Sequence, residues 1–156
     1  MGALKSAKDM KVLVIGDIII DEYHYCKGMG KSQKDNIIVT KYLNEETFAG
    51  GVLAAANHMA GFCDDITLVS CIGTKNNYKD FIFKHLAPNI KQRFFYYDGM
   101  PTVVKRRFVD PAFLSKLFEI CQLEDTKHIS DSLEDKICSY LESNVKKFDM
   151  VLVTDF

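Results

Sequence analysis

The sequence has no C-x-x-C pair, and its five cysteines, Cys26, Cys63, Cys71, Cys121 and Cys138, are odd in number. This excludes a disulfide framework and a thiolate zinc site, and leaves reduced thiols acting as small buried hydrophobes in the cytoplasm. His24, His58, His85 and His128 show no metal-ligand spacing, so no metal site is expected. No apolar run is long enough to cross a bilayer, and Met1 to Asp9 lacks the apolar middle of a signal peptide. No membrane partner is expected, and residues 1–9 read as a disordered leader. Basic charge is scarce as well: 20 Lys and Arg face 21 Asp and Glu. The only dense basic cluster, Lys105-Arg106-Arg107, lies inside an apolar segment. A nucleic-acid partner needs a concentrated basic face, so none is expected. No G-x-G-x-x-G follows the first apolar run, which argues against a Rossmann-type dinucleotide site.

What is present is a core. Hydrophobic residues make up 47% of the 156 residues, enough for one domain or one large piece of a domain. Lys11 to Ile20 is apolar and β-branched without polar alternation, the pattern of a strand covered on both faces. Asp21 to Lys34 is polar, holds Gly28 and Gly30, and reads as a loop. Asn36 to Leu43 is expected as a two-faced strand outside the main core, and Gly50 to Gly61 as a helix whose alanines allow close approach to a sheet. Ile66 to Ile72 reads as a second buried strand, Asn76 to Leu86 as a helix, and Arg93 to Tyr97 as a short strand before an Asp98-Gly99 turn. Thr102 to Val109 and Phe113 to Gln122 read as strands flanking Asp110-Pro111. Ser132 to Val145 is expected as a helix, with Asp131 as cap, Glu134 reaching back, and Leu133, Ile137, Leu141 and Val145 on one face. Asp149 to Asp155 is a third buried strand. This alternation argues for an α/β fold with a mostly parallel sheet.

Several segments in order carry a resemblance. They are Gly16-Asp17-x-x-x-Asp21, then Gly50-Gly51 leading into Ala56-Asn57-His58-Met59-Ala60-Gly61, then Ile66 to Gly73. Pro101 to Arg107 and the terminal Val151-Leu152-Val153-Thr154-Asp155-Phe156 follow. The series resembles the ribokinase-like (PfkB) carbohydrate kinases over residues 10–156. Within them it is most similar to heptose-phosphate kinases of lipopolysaccharide sugar synthesis and to related kinases fused to a nucleotidyltransferase. The resemblance implies ATP-dependent phosphoryl transfer to a sugar hydroxyl, with a small β lid closing over the sugar. It implies a catalytic base in a Gly-Ala-Gly-Asp segment of a second half. That segment does not occur in this sequence. The expectation is therefore a partial ribokinase-like fold, truncated before the ATP-binding half, with lid segments near 36–43 and 102–122. ATP and Mg2+ would be bound mainly by that other half. No residue here is assigned a catalytic, cofactor-binding or metal-binding role, and the fragment alone is expected to be inactive.

Six residues are candidates for holding the sugar. Asp21 closes a buried strand on the side where open α/β sheets bind ligands, and the resemblance implies that its carboxylate accepts bonds from sugar hydroxyls. A strand-end carboxylate bonded to backbone is the plainer alternative. Gly50 and Gly51 let backbone approach a ligand and open a helix whose N–H groups suit sugar oxygens; an ordinary turn is the alternative. Asn57 lies further along the helix than the family's sugar-binding asparagine, and its amide could instead bond backbone in the core. Lys105 and Arg107 share one strand face and could hold the phosphate of a sugar phosphate; a solvated strand face is the alternative. The partner expected is thus a small sugar or sugar phosphate. The lid strands offer a route to a homodimer. A non-enzymatic sugar-binding or protein-interaction module derived from a kinase half is the competing reading.

Overall fold

The computed structural model describes residues 7–122 and 129–155. The expected leader falls mostly at residues 1–6, outside the described residues. Residues 7–9 form a turn tied to the body, with the Met10 N–H donating to the Ala7 carbonyl and the Asp64 N–H to the Lys8 carbonyl.

Two sheets make up the frame. The first has the order β5-β4-β1-β8 and is parallel throughout, from β1 (Lys11–Gly16), β4 (Asp65–Lys75), β5 (Ile90–Pro101) and β8 (Met150–Thr154). The β-branched runs of β1 and β4 become its centre, covered on both faces, whereas β8, expected as a third buried strand, is an edge strand with Val151 and Val153 exposed. On one face α1 (Val52–Ala60) and α2 (Lys79–His85) pack against Val12, Val14, Ile66, Leu68 and Ile72. Leu53 of α1 is fully buried, which stabilises the fold by about 1.5–3 kcal/mol for that side chain alone. On the other face α3 (Asp131–Asn144) sets Leu133, Ile137 and Leu141 against Leu13, Val69 and Phe95. Val145 does not continue that face and is exposed in the short 3-10 turn after α3.

The second sheet has the order β3-β2-β6-β7, from β2 (Ile18–Lys31), β3 (Ile38–Gly51), β6 (Val103–Asp110) and β7 (Ser115–Gln122). Its central pair, β2 and β6, is parallel, and β3 and β7 flank it antiparallel. The chain passes from the first sheet to the second twice, at Asp17 between β1 and β2 and at Thr102 between β5 and β6. Buried Thr102 fixes the second crossing: its Oγ1 accepts the Gly73 N–H at 3.2 Å and donates to the Asn77 carbonyl at 3.1 Å.

Three local expectations are corrected. Asp21 to Lys34 is mostly strand, because its polar residues find charged and aromatic partners on both faces of the sheet. Its glycines mark a bulge and the strand end rather than a loop. The Asp98-Gly99 signal lies inside β5, where Gly99 takes a positive φ of 72°. Helix α3 starts one residue early, at Asp131, so Ser130 occupies the cap position and makes no side-chain cap bond. Asp131 and Glu134 still sit in the first turn, where negative charge suits the helix dipole.

Candidate functional site

The parallel register of β2 and β6 decides which side chains meet. Asp21 lies beside Lys105, and Tyr23 beside Arg107. Because side chains alternate, Ile19, Asp21 and Tyr23 share a face with Lys105 and Arg107. On the neighbouring β3, Gly50 pairs with Ile19 and Phe48 with Asp21, so Gly50 opens onto the same face. In β7, Glu119 pairs with Arg107 and Cys121 with Lys105. Four of the six candidates, Asp21, Gly50, Lys105 and Arg107, are therefore brought together on one surface.

Gly50 is required there by space. A Cβ at this position would lie 2.9 Å from Asp21 Cγ, and closer still to Oδ2. The bare backbone is what lets the carboxylate rest against the end of β3. Gly51, the next residue, is required by conformation: its φ of 58° with ψ of −133° is a region that side chains rarely enter. It is the cap residue of α1, and the Val52 N–H, first of that helix, donates to the Asp17 carbonyl at 2.9 Å. Gly51 also lines a cleft of about 200 Å³ with Asp17, Ile19, Thr154 and Asp155. The candidate surface thus opens beside the crossing between the two sheets.

Arg107 is the hub of the surface. Its Nη1 pairs with Asp21 Oδ1, its Nε donates to Glu119 Oε2 at 2.7 Å, and its guanidinium stacks on Tyr23 with 5.3 Å to the ring centre. Tyr23 is itself held edge-on by Phe48. Burial opposes the charge on Arg107, but the bond and charge of Asp21 outweigh it and raise its pKa. The Cys121 thiol, donating to Glu119 Oε1 at 3.1 Å, is the chief influence holding that carboxyl below the usual range; Arg107 and Lys105 add to it.

The opposite face carries a second ion network. Glu22 accepts from Arg106 Nε at 2.7 Å and from the Tyr78 hydroxyl at 3.0 Å, and lies 3.4 Å from His24 Nε2. Burial alone would raise the Glu22 pKa, but the bonds from Arg106, Tyr78 and His24 hold it below the ordinary value. Tyr78 belongs to the first sheet's layer, so this network ties the second sheet to the body. His24 Nδ1 also faces Glu45 at 3.3 Å, and its ring stacks on Phe108, which stacks on Phe118.

Asn57 is not brought to this surface. Its Nδ2 donates to the His85 carbonyl at 2.8 Å, and its Oδ1 accepts the Ala87 N–H at 2.9 Å. The amide fastens α1 to the end of α2, as its position beyond the usual site allowed. Asp17 lies in the 200 Å³ cleft. Burial, then the Asp155 charge, raises its pKa. Cys71 beside it is pushed up to about 11 by burial and by Asp17, which makes it an unreactive neutral thiol. The larger clefts, about 530 and 540 Å³, lie against α3, away from these residues.

Reasoning from sequence missed Glu119, Tyr23, and the Glu22–Arg106–Tyr78 group. The hairpin at Asp110-Pro111 did not reveal Glu119, because a register shift between Phe108 and Val109 is what sets it opposite Arg107.

No protein-family model matches the chain. Among curated proteins it is similar to the bifunctional protein HldE of Campylobacter jejuni subsp. doylei, with 26% identity over 151 residues, 97% of this chain and 31% of that protein. It is similar to the HldE of Nitratiruptor sp., with 24% identity over 146 residues, 94% of this chain and 31% of that protein. The chain thus spans about a third of the length of these relatives. Among solved structures it matches phosphofructokinase-2 from Escherichia coli in complex with fructose-6-phosphate, with a TM-score of 0.61 at 9% identity over 93% of this chain and 45% of that one. It also matches a carbohydrate kinase from Agrobacterium tumefaciens, with a TM-score of 0.58 at 13% identity over 92% of this chain and 45% of that one. At such identities the structures show the fold alone: an α/β frame with a mostly parallel sheet, matching under half of each of those chains. The resemblance to ribokinase-like kinases, and to the heptose-phosphate kinases in particular, stands.

Proposed function

We propose that this chain is the substrate-holding part of an ATP-dependent sugar or sugar-phosphate kinase. The observation that carries the reading is the convergence of Asp21, the bare backbone of Gly50, and the cations Lys105 and Arg107 on one face of the lid sheet. A carboxylate beside an open backbone suits vicinal hydroxyls, and two cations next to it suit a phosphate monoester. Gly51 completes the approach by opening α1 at the adjoining cleft. A heptose phosphate is the substrate class that the similarity to HldE favours. The second sheet would act as a lid that excludes water from the sugar, and the Glu22–Arg106–Tyr78 bonds would keep it docked.

ATP is the phosphoryl donor this reading implies. Among the described residues no group of three or more His, Cys, Asp or Glu side chains could hold a metal ion. Asp17 and Asp155 share a cleft as a pair only. Nucleotide and metal would bind the remaining part of such a kinase, which would also supply the base. The isolated 156-residue polypeptide should accordingly fail to phosphorylate sugars. Calorimetry with a panel of hexose and heptose phosphates, without ATP, tests the reading. Binding that is lost in Asp21→Asn supports it; binding unaffected by Asp21→Asn, or none across the panel, overturns it.

A second reading is a non-enzymatic module that works through the lid. It is favoured by the apolar residues exposed on the lid's outer strands: Tyr42 on β3, and Phe118 and Ile120 on β7. The same strands would serve a homodimer. Sedimentation of the chain and of Phe118→Asp separates a lid-mediated dimer from a monomer.

A further inference from the structure

We propose that Glu119 is an internal competitor for the substrate's phosphate, occupying Arg107 until a phosphate monoester displaces it. The inference rests on the reading of Arg107 as a phosphate ligand. A guanidinium offers two bidentate edges, Nε with Nη2 and Nη1 with Nη2. Here the single N–H of Nε is committed to Glu119, and one of the two N–H groups of Nη1 pairs with Asp21, so the Nε–Nη2 edge has lost a donor. A phosphate can take a two-point grip on that edge only by removing Glu119.

Charge points the same way. Asp21 and Glu119 offset Lys105 and Arg107, and Glu46 beyond Tyr23 adds a further negative charge to this face, so a dianion approaching the intact cluster meets no net attraction. Expelling one carboxylate restores it.

Glu119 is the carboxylate able to leave. Asp21 sits on the central strand β2, wedged against Gly50, with its side chain 21% exposed. Glu119 sits on the outermost strand β7, its side chain 35% exposed, and is longer by one rotatable bond. Besides Arg107 it meets the weakly donating Cys121 thiol and the charge of Lys105. Until displaced, Glu119 keeps Arg107 extended over Tyr23, and the incoming phosphate finds the guanidinium already oriented. A sugar without phosphate leaves Glu119 in place.

The test is titration of inorganic phosphate into the purified chain, followed by calorimetry or phosphorus NMR, for wild type, Glu119→Gln, Arg107→Gln and the double variant. Glu119→Gln keeps shape and removes the competing charge, and should bind phosphate roughly two- to fivefold more tightly, the worth of a partly solvated ion pair. Arg107→Gln should lose the binding, and the double variant should be no tighter than Arg107→Gln. A merely structural Glu119 would give weaker binding on substitution, never tighter. Unchanged or weaker binding by Glu119→Gln, with binding still lost in Arg107→Gln, overturns this inference and leaves the phosphate reading standing. Wild-type binding in Arg107→Gln, or no phosphate binding by any of the four proteins, overturns both.

Discussion

Adding one methyl group at Gly50 or at Gly51 should have opposite consequences. At Gly50 the new Cβ would stand 2.9 Å from Asp21 Cγ, where ordinary contact begins at about 3.4 Å, and the nearer Oδ2 must retreat by roughly an ångström. The obstacle is the end of a side chain, so the carboxylate can swing aside. Swinging aside breaks its pairing with Arg107, a partly screened ion pair worth about 1 kcal/mol or less. Gly50→Ala should therefore cost little stability but misplace the carboxylate, weakening sugar-phosphate binding by about tenfold or more. At Gly51 the methyl meets the Asp17 carbonyl and Ile19, and that carbonyl is already held by the first N–H of α1. Backbone cannot swing aside, and the φ of 58° with ψ of −133° adds about 1–3 kcal/mol of strain. Gly51→Ala should lower the Tm by roughly 4–10 °C for a chain of this size. Thermal melts and calorimetry on both variants read the contrast. A Gly50→Ala protein that melts early, or that binds sugar phosphate like wild type, would refute the argument that Gly50 exists to seat Asp21.

Three more outcomes are expected. Asn57→Ala should lose about 1–3 kcal/mol by orphaning the His85 carbonyl and the Ala87 N–H, with no change in sugar-phosphate affinity; a loss of affinity at unchanged stability would return Asn57 to the site. The Glu22 pKa is held below its ordinary value of 4.5, so its contribution is complete above that pH and is lost as pH falls through the lowered value. Glu22→Gln should cost about 0.5–1 kcal/mol at neutral pH, and the difference from wild type should close in acid; a difference that widens in acid contradicts the network. The Asp17 pKa is raised above its ordinary 3.8, so its contribution is favourable below that pH and is lost as pH rises through the raised value. Asp17→Asn should then melt higher at neutral pH, by up to about 1 kcal/mol after solvent screening, with the gain vanishing in acid.

The sequence disclosed what burial imposes. Val12 to Ile15 and Ile66 to Ile72 had to be apolar because the middle of the parallel sheet is covered by helices, and continuous apolar runs are readable; the same pattern at Met150 to Val153 misled, because that run is an edge strand with Val151 and Val153 exposed. The glycines at 50 and 51 announced the helix start for the same kind of local reason. The second sheet was harder to read. Strand β2 carries Asp21, Glu22, Tyr23 and His24 on alternating faces of a sheet whose two sides both meet polar groups, so its residues looked like a loop. Asp21 and Arg107 were each visible as candidates, but their mutual pairing depends on a register between strands more than eighty residues apart in sequence, which no local pattern encodes. Glu119 looked like any exposed strand acid until the β6–β7 hairpin placed it against Arg107.

The most direct test of the site is a 15N NMR titration of the chain with a sugar phosphate, because the two faces of the second sheet carry different residues. The account predicts amide shifts concentrated at Asp21, Gly50, Gly51, Lys105 and Arg107, absent in Asp21→Asn. Shifts centred on His24, Arg106 and Phe108 on the opposite face, or on α3, would contradict it.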